Sequence, residues 1–150
     1  MTDVLFYHLQ RQPLEAVLPQ LLQRSLARGW RAVVEAGSED RVAALDDHLW
    51  TFAEDSFLPH AAGTAPDLID EPIVLTSGPA NPNAAQVRFC VDGAPLPTDA
   101  SGYERVVLVF DGRDDEALAA ARRAWSTTRT AGLVATYWQQ NEDGRWEQKA

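Results

Sequence analysis

The chain has 150 residues, of which 45% are hydrophobic and 23% are charged, as is usual for a globular domain. A chain of this length buries roughly 70% of the surface that its unfolded form exposes, which is enough for a hydrophobic core. The formal net charge of −9, from 22 acidic and 13 basic residues, disfavours direct nucleic-acid binding as the main activity, because phosphate contacts need a basic surface.

Strand-like and helix-like patterns alternate along the chain. Runs rich in β-branched and aromatic residues predict strands over residues 4–9, 30–36, 72–76, 85–91, 105–110 and 133–138. Apolar residues spaced three and four apart predict helices over residues 13–28, 38–50 and 114–130. Pro13 fits the first turn of the first helix, Gly29 its end, and Ser38 the cap of the second helix. The tail after residue 140 has the pattern of a turn that leads into a short edge segment.

This order of elements predicts an α/β fold: a single three-layer domain over residues 1–150, with a largely parallel sheet and an antiparallel edge. Residues 105–110 are almost all apolar, as expected for a central strand that is covered on both faces. Cys90 is the only cysteine and is predicted to lie in the core, since Phe89 and Val91 flank it. No apolar run is long enough to span a membrane, and the first residues lack a basic signal segment, so a cytoplasmic protein is expected.

The motifs of common catalytic and nucleotide sites are missing. The turn after the first predicted strand reads Gln10-Arg11-Gln12-Pro13 instead of a glycine-rich dinucleotide loop. The only lysine, Lys149, is not part of a phosphate-binding loop. With one cysteine and three scattered histidines, neither a metal site nor a cofactor is expected.

The last predicted helix carries a distinctive face. Arg122, Trp125 and Arg129 lie at positions i, i+3 and i+7 and therefore share one side of the helix. Arginine offers a bidentate fork to carboxylates and an indole offers an apolar wall, so the face suits an acidic peptide with an aromatic tip. The same pattern also fits an exposed amphipathic helix whose Trp125 packs on the sheet.

A block between residues 45 and 60 joins the end of the second helix to an aromatic-rich loop. It contains Leu45, Asp46, Leu49, Trp50, Ser56, Phe57, Pro59 and His60. This block resembles the chi subunit of bacterial DNA polymerase III, whose pattern reads Leu-Asp-x-x-Leu-Trp, a spacer, and Ser-Phe-x-Pro-His. The opening Phe-Tyr-x-Leu at residues 6–9 and the late arginine- and tryptophan-bearing helix fit the same family, so the resemblance extends over nearly the whole chain.

The resemblance implies a Rossmann-like fold and a non-catalytic accessory subunit of DNA replication. Such a subunit connects the polymerase III clamp loader, through the psi subunit, to the single-stranded-DNA-binding protein, whose acidic C-terminal tail it holds. It therefore meets nucleic acid only indirectly. The resemblance implies a tail-binding site formed by Arg122, Trp125, Trp50 and Phe57. Leu118 and Ser126 stand where other members have basic residues, and Asp111 where an apolar residue is common, so Arg123 or Arg129 is expected to compensate.

An alternative function belongs to a different class. An α/β domain of this size also fits a small enzyme or a nucleotide-binding protein. Its site is then expected at the carboxyl ends of the strands, near Gln10, Ser38 and Asp111.

Overall fold

The structure is a computed structural model that describes residues 2–51 and 58–150. Its strands are β1 Asp3–Leu9, β2 Ala32–Glu35, β3 Ala61–Ala62, β4 Ile73–Thr76, β5 Val87–Cys90, β6 Arg105–Asp111, β7 Val134–Gln140 and β8 Trp146–Gln148. Its helices are α1 Leu14–Ala27, α2 Glu39–Thr51 and α3 Asp115–Thr130, with a 3₁₀ turn at Pro66–Asp70.

The described strands form one sheet in the order β3-β4-β2-β5-β6-β1-β7-β8. Neighbouring strands run parallel except at one edge, where β8 pairs antiparallel with β7 and Trp146 lies opposite Gln140. The predicted α/β class, the largely parallel sheet and the antiparallel edge are confirmed. The predicted central strand is also confirmed, because β6 lies between β5 and β1.

Side chains of β1 alternate between two hydrophobic clusters, one on each face of the sheet. Leu5 and Tyr7 point into the larger cluster, to which α1 and α2 contribute. Val4 and Phe6 point into the other cluster, which α3 covers. The helices therefore lie on both faces of the sheet, and the fold has three layers.

A proline inside α1 helps to dock α1 against α2. Pro19 has no backbone N–H, so the carbonyl of Glu15, four residues earlier, loses its helical donor. His48 of α2 supplies a replacement, since its Nε2 lies 2.6 Å from the Glu15 carbonyl oxygen. Ser38 caps the start of α2 as predicted: its Oγ accepts a hydrogen bond from the backbone N–H of Arg41 at 3.2 Å.

Arg88 of β5 is fully buried and binds two loops. These loops lie above β5, on the same face of the sheet as α3. The guanidinium of Arg88 donates to the carbonyls of Gly78 (2.7 Å) and Ala80 (3.0 Å) and to the hydroxyl of Tyr103 (3.1 Å). It also forms a hydrogen-bonded ion pair with Glu35 of β2. Arg88 therefore serves the fold, and its charge is paired with Glu35.

Some features differ from the prediction. No element is predicted for residues 61–70, yet this segment contains β3 and the 3₁₀ turn. A strand of two residues is too short to show an alternating pattern in sequence. Cys90 is buried, as predicted. Burial raises the pKa of its thiol to about 12, so the thiol stays protonated near neutral pH.

Candidate functional site

A charge gradient runs along α3. At the start of the helix, a carboxylate oxygen of Asp114 accepts hydrogen bonds from the backbone N–H groups of Glu116 (3.0 Å) and Ala117 (3.4 Å). Acidic residues occupy the first turn and arginines occupy the second half. Negative charge at the amino end and positive charge at the carboxyl end both agree with the helix dipole. The second half of α3 is thus a basic surface on an acidic protein.

Small side chains and one indole form the face of α3 that meets the sheet. Ala121 is buried, and Ala117 packs beside it. The ring of Trp125 lies edge-on to Phe6, with centroids 5.2 Å apart, and edge-on to Tyr137 at 6.1 Å. Trp125 is half-buried, as expected for an amphipathic helix that packs its tryptophan on the sheet. Its remaining surface lies between the arginines of the helix.

The predicted arginines of α3 are exposed. Arg122, Arg123 and Arg129 have no carboxylate oxygen within 4.0 Å in residues 2–51 and 58–150. The guanidinium carbon of Arg129 lies 5.8 Å from the centroid of the Trp125 ring, within the range of a cation–π contact. We call Arg122, Trp125 and Arg129 the α3 ridge.

A histidine and a tyrosine lie beneath the α3 ridge. The hydroxyl of Tyr137 is hydrogen-bonded to Nδ1 of His8, and Nε2 of Gln139 lies 3.1 Å from the same nitrogen. Burial raises the pKa of Tyr137, while the hydrogen bond with Gln139 and the charge of Arg122 oppose this rise. The charge of Arg122 therefore lies close to this pair.

His8 is a buried base that stays neutral near pH 7. Burial lowers the pKa of His8, although the charge of Asp111 partly opposes the shift. Nε2 of His8 has no hydrogen-bond partner among the described residues and faces Gly112. A Cβ on Gly112 would lie 1.6 Å from this nitrogen, so the close approach requires glycine. The His8 side chain is thus part of the packing of the sheet beneath α3.

A large crevice opens at the carboxyl ends of β1, β5 and β6, between the starts of α1 and α3. It has a volume of about 1040 Å³, and Arg123 lines it, so the neighbouring arginines 122 and 123 face different surroundings. The alternative function places a site here, but Asp111 lines the crevice without Gln10 or Ser38. Its charged lining residues are Glu15, Arg41, Asp92, Asp111, Arg113, Asp114, Glu116 and Arg123.

Most of the arginines that line this crevice form ion pairs. Arg41 bridges Glu15 and Asp92, with both N–O distances at 2.9 Å. Arg113 pairs with Asp111 at 3.2 Å. The backbone N–H of Arg113 and its guanidinium also hold the pKa of Asp111 below its usual value, so this carboxyl is ionised. The crevice is therefore a poor site for a phosphate.

Trp50 lies in the layer opposite α3. It is near the end of α2, which packs against β3, β4 and α1, whereas α3 packs against β6, β7 and β1. Three inter-strand steps of about 4.8 Å separate β4 from β6, and the sheet itself lies between the two layers. Phe57 lies outside the described residues. The structure brings Arg122, Trp125 and Arg129 together, with Arg123 on the crevice side of α3, and places Trp50 elsewhere.

Three residues of the aromatic block form one packed group around Trp50. The Trp50 ring is 48% exposed, and its centroid lies 4.3 Å from that of His60. His60 is buried, with Nδ1 2.7 Å from the carbonyl oxygen of Leu58 and Nε2 3.0 Å from a carboxylate oxygen of Asp46. These contacts give Asp46, Trp50 and His60 a role in packing the end of α2.

Comparison with known proteins decides the family. A family model described as DNA polymerase III chi subunit, HolC, matches residues 1–136. The chain belongs to this family. The probable DNA polymerase III subunit chi of Rickettsia prowazekii (strain Madrid E) is similar: it is 22% identical over 121 residues, which cover 74% of this chain and 71% of that protein.

Membership in the chi family establishes the general role. Members of the family are accessory subunits of the DNA polymerase III holoenzyme. This role implies association with the clamp-loader complex in DNA replication. None of the described helices is both long and apolar enough to cross a bilayer. Within residues 2–51 and 58–150, no group of three or more His, Cys, Asp or Glu residues is placed to hold a metal ion.

Two features of this chi-family protein escaped the sequence-based prediction. The first is the His8–Tyr137 pair beneath the α3 ridge, whose members lie 129 residues apart. The second is a cluster of four arginines on the opposite face of the sheet, Arg24, Arg28, Arg105 and Arg145. These arginines are widely spaced along the chain, so no short window of sequence contains the cluster.

Proposed function

We propose that this chi-family protein is a non-catalytic bridge in DNA replication. On one side it joins the clamp loader through the psi subunit. On the other side it holds the acidic C-terminal tail of the single-stranded-DNA-binding protein on α3. Joining two partners requires binding surfaces and no chemical turnover, and family membership supports the clamp-loader side of this bridge.

The observation that carries the tail-binding proposal is the set of unpaired arginines on α3. Arg122, Arg123 and Arg129 are exposed and lie farther than 4.0 Å from every carboxylate oxygen of the described residues. The chain contains 22 acidic residues that offer partners, and other arginines use them. A local positive surface attracts an acidic segment, while the net charge of −9 of the whole protein repels extended nucleic acid.

In this proposal the tail lies along and across the second half of α3. Its aspartates and terminal carboxylate accept hydrogen bonds from Arg122 and Arg129, and the exposed part of Trp125 gives an apolar contact. Arg123 opens onto the crevice, where Leu96 and Phe110 provide an apolar lining for a terminal phenylalanine. The proposal assigns no tail contact to Trp50, since α2 and α3 pack against different strands and Trp50 lies near the end of α2.

The affinity of one tail for this surface is expected to be modest and sensitive to salt. A disordered tail loses conformational entropy when it binds, and exposed ion pairs are screened by salt. Many tails on one coated DNA strand raise the effective concentration of the ligand, so weak single contacts suffice for recruitment.

The decisive experiment replaces Arg122, whose charge acts on Tyr137. Arg122→Ala is expected to weaken binding of a fluorescent peptide that ends in Asp-Ile-Pro-Phe by roughly 1.5–3 kcal/mol, the usual value of a hydrogen bond to a charged group. Fluorescence anisotropy measures the dissociation constant at fixed salt. Arg24→Ala is the matched control, because it also removes an exposed arginine but lies on the opposite face of the sheet from α3.

Two further measurements make the result specific. Trp50→Ala is expected to keep the affinity of the peptide, since its ring lies beyond the sheet from α3. Far-ultraviolet circular dichroism confirms that each variant is folded. An unchanged dissociation constant for folded Arg122→Ala would reject α3 as the tail-binding surface.

A further inference from the structure

A second arginine-rich surface lies on the face of the sheet opposite α3. It is a pocket of about 450 Å³ beside α1, over β6, β1, β7 and β8. Its side chains are of two kinds, basic and aromatic. We call it the arginine–aromatic pocket and define it by Arg24, Arg28, Arg105, Arg145, Tyr7, Trp138 and Trp146.

The charge of this pocket is entirely positive. Among the residues that the structure describes, no aspartate or glutamate lines it. The 13 basic residues of the chain are twelve arginines and Lys149. Within residues 2–51 and 58–150, the arginines with a carboxylate oxygen inside 4.0 Å are Arg31, Arg41, Arg88 and Arg113. The four pocket arginines are not among them, so their positive charge is available to a ligand.

Several contacts bring these guanidinium groups together. The ring of Trp30 has the guanidinium carbon of Arg28 at 4.4 Å and that of Arg105 at 5.2 Å from its centroid, so one indole positions both cations. Burial raises the pKa of the Tyr7 hydroxyl, and the charges of Arg105 and Arg24 oppose this rise. Nε of Arg105 is buried and has no hydrogen-bond partner among the described residues. Arg24 and Arg105 therefore lie near the Tyr7 hydroxyl, and Arg28 lies beside Arg105 on the Trp30 ring.

Aromatic rings form the other wall of the pocket. Tyr7 lies 4.6 Å from Trp146 and 6.2 Å from Trp138, measured between ring centroids. Nε1 of Trp138 donates to Oγ1 of Thr136 at 2.8 Å, which holds the orientation of that indole. Both indoles are half-buried and pack on the hydrophobic cluster of the α1 face. Core packing accounts for the rings, but it does not account for the unpaired arginines beside them.

We propose that the arginine–aromatic pocket binds a nucleotide, with the phosphate on Arg24, Arg28 and Arg105 and the base against Trp146 and Trp138. Arginine forks suit phosphate oxygens, and indole faces stack on bases. The volume of the pocket falls within the range of small-molecule sites. In this pocket arginine side chains donate to the phosphate, whereas other folds use the backbone N–H groups of a glycine-rich loop.

The chemistry of the lining favours a nucleotide over a peptide. A peptide brings backbone N–H groups that need acceptors, whereas a phosphate brings only acceptors. The polar side chains of the lining are the four arginines, Tyr7, Ser25 and the two indoles, and the hydroxyl of Ser25 already donates to the carbonyl of Leu21 at 3.0 Å. The net charge of −9 disfavours a long polyanion, so a single nucleotide or the end of a strand fits better.

The experiment titrates the full chain with deoxyadenosine 5′-monophosphate and follows both tryptophan fluorescence and heat. Binding with quenching is expected, because the base stacks on indoles. Arg24→Gln combined with Arg28→Gln is expected to weaken the affinity at least about tenfold, since each lost charge-assisted contact is worth that much. Both side chains are exposed, so the fold tolerates the change. Arg11→Gln is the control and keeps the affinity.

Further arms identify the source and the ligand class. A short single-stranded oligonucleotide with the same dependence on Arg24 and Arg28 identifies a strand end as the ligand, and binding of the mononucleotide alone identifies a free nucleotide. Three results overturn the proposal: deoxyadenosine without phosphate binds equally well; Arg123→Gln weakens nucleotide binding while the pocket variant does not; or the acidic tail peptide requires Arg24 and Arg28.

The two proposals fail separately. Arg122→Ala is expected to keep the nucleotide affinity, because Arg122 and the arginine–aromatic pocket lie on opposite faces of the sheet. Loss of tail binding in that variant therefore says nothing about the pocket, and an inert pocket leaves the tail site on α3 standing.

Discussion

The α3 ridge and the arginine–aromatic pocket use the same two side-chain types and lie on opposite faces of one sheet. On the ridge, Arg122 and Arg129 are exposed on a single helix and flank the half-buried Trp125. In the pocket, arginines from separate elements surround a concave space with tryptophans on one wall. A convex surface suits a flexible chain laid across it, and a concave one suits a compact ligand. Shape distinguishes these two surfaces, because their composition is alike.

Arg88 differs from the arginines of both surfaces. It is fully buried and pairs with Glu35, whereas the arginines of the two surfaces reach no carboxylate within 4.0 Å among the described residues. A buried, paired arginine stabilises the fold. Exposed, unpaired arginines that cluster in an acidic protein are better explained by a partner.

The largest expected effect tests this division. Arg88→Met is expected to lower the free energy of unfolding by about 3–5 kcal/mol, because it leaves the Glu35 carboxylate buried without its partner. Arg122→Ala and Arg24→Gln, at exposed positions, are each expected to change stability by no more than about 0.5 kcal/mol. Urea denaturation measures all three. The comparison is wrong if the exposed variants lose as much stability as Arg88→Met. Adding Glu35→Leu to Arg88→Met is expected to recover part of the lost stability.

A medium effect is expected from the tryptophan of the α3 ridge. Trp125→Ala removes the ring that packs edge-on against Phe6 and supports Arg129. A fully buried tryptophan costs about 3–5 kcal/mol when it is truncated, so this half-buried ring is expected to cost roughly 2 kcal/mol. Equilibrium unfolding gives the stability, and anisotropy gives the affinity for the tail peptide.

The matched control retains an aromatic ring. Trp125→Phe is expected to keep most of the stability, because a ring still reaches Phe6. If Trp125→Ala binds the tail peptide as tightly as the unchanged protein, the indole belongs to the core alone and Arg122 acts without an apolar wall.

The smallest expected effect is a pH dependence of stability to which His8, beneath the α3 ridge, contributes. Burial lowers the pKa of His8 below its ordinary value of 6.5. Below pH 6.5, His8 therefore binds a proton in the unfolded chain while it stays neutral in the folded protein. The free energy of unfolding falls as the pH drops towards the pKa of His8 in the folded state. The melting temperature at pH 7.5 and pH 5.5 measures this loss. His8→Asn is expected to show a smaller difference between the two pH values, since the other two histidines remain in both proteins.

An equal pH dependence in both proteins would show that His8 accepts a proton without penalty in the fold. The pocket has no histidine among its described lining residues, so a change in nucleotide binding over the same pH range is expected to follow the second ionisation of the phosphate, at about pH 6.

Local patterns in the sequence predict the elements of this fold well. The apolar spacing of the helices, the cap at Ser38 and the apolar run of residues 105–110 correspond to α1, α2, α3 and the central strand β6. They are predictable because each depends on neighbours in sequence or on one periodic face. The strand order and the two-residue β3 are not predictable in this way, because they depend on pairing between distant segments.

The sequence by itself determined the α/β class, the chi-family resemblance and the shared face of Arg122, Trp125 and Arg129, since a helix places residues at fixed angles. The tertiary structure alone decided that Trp50 lies in the opposite layer and that Arg123 opens onto the crevice. It alone also decided that Arg24, Arg28, Arg105 and Arg145 line one pocket together with Tyr7. The physical reason is the same in each case: the crossing of the chain between the two faces of the sheet sets which charges become neighbours.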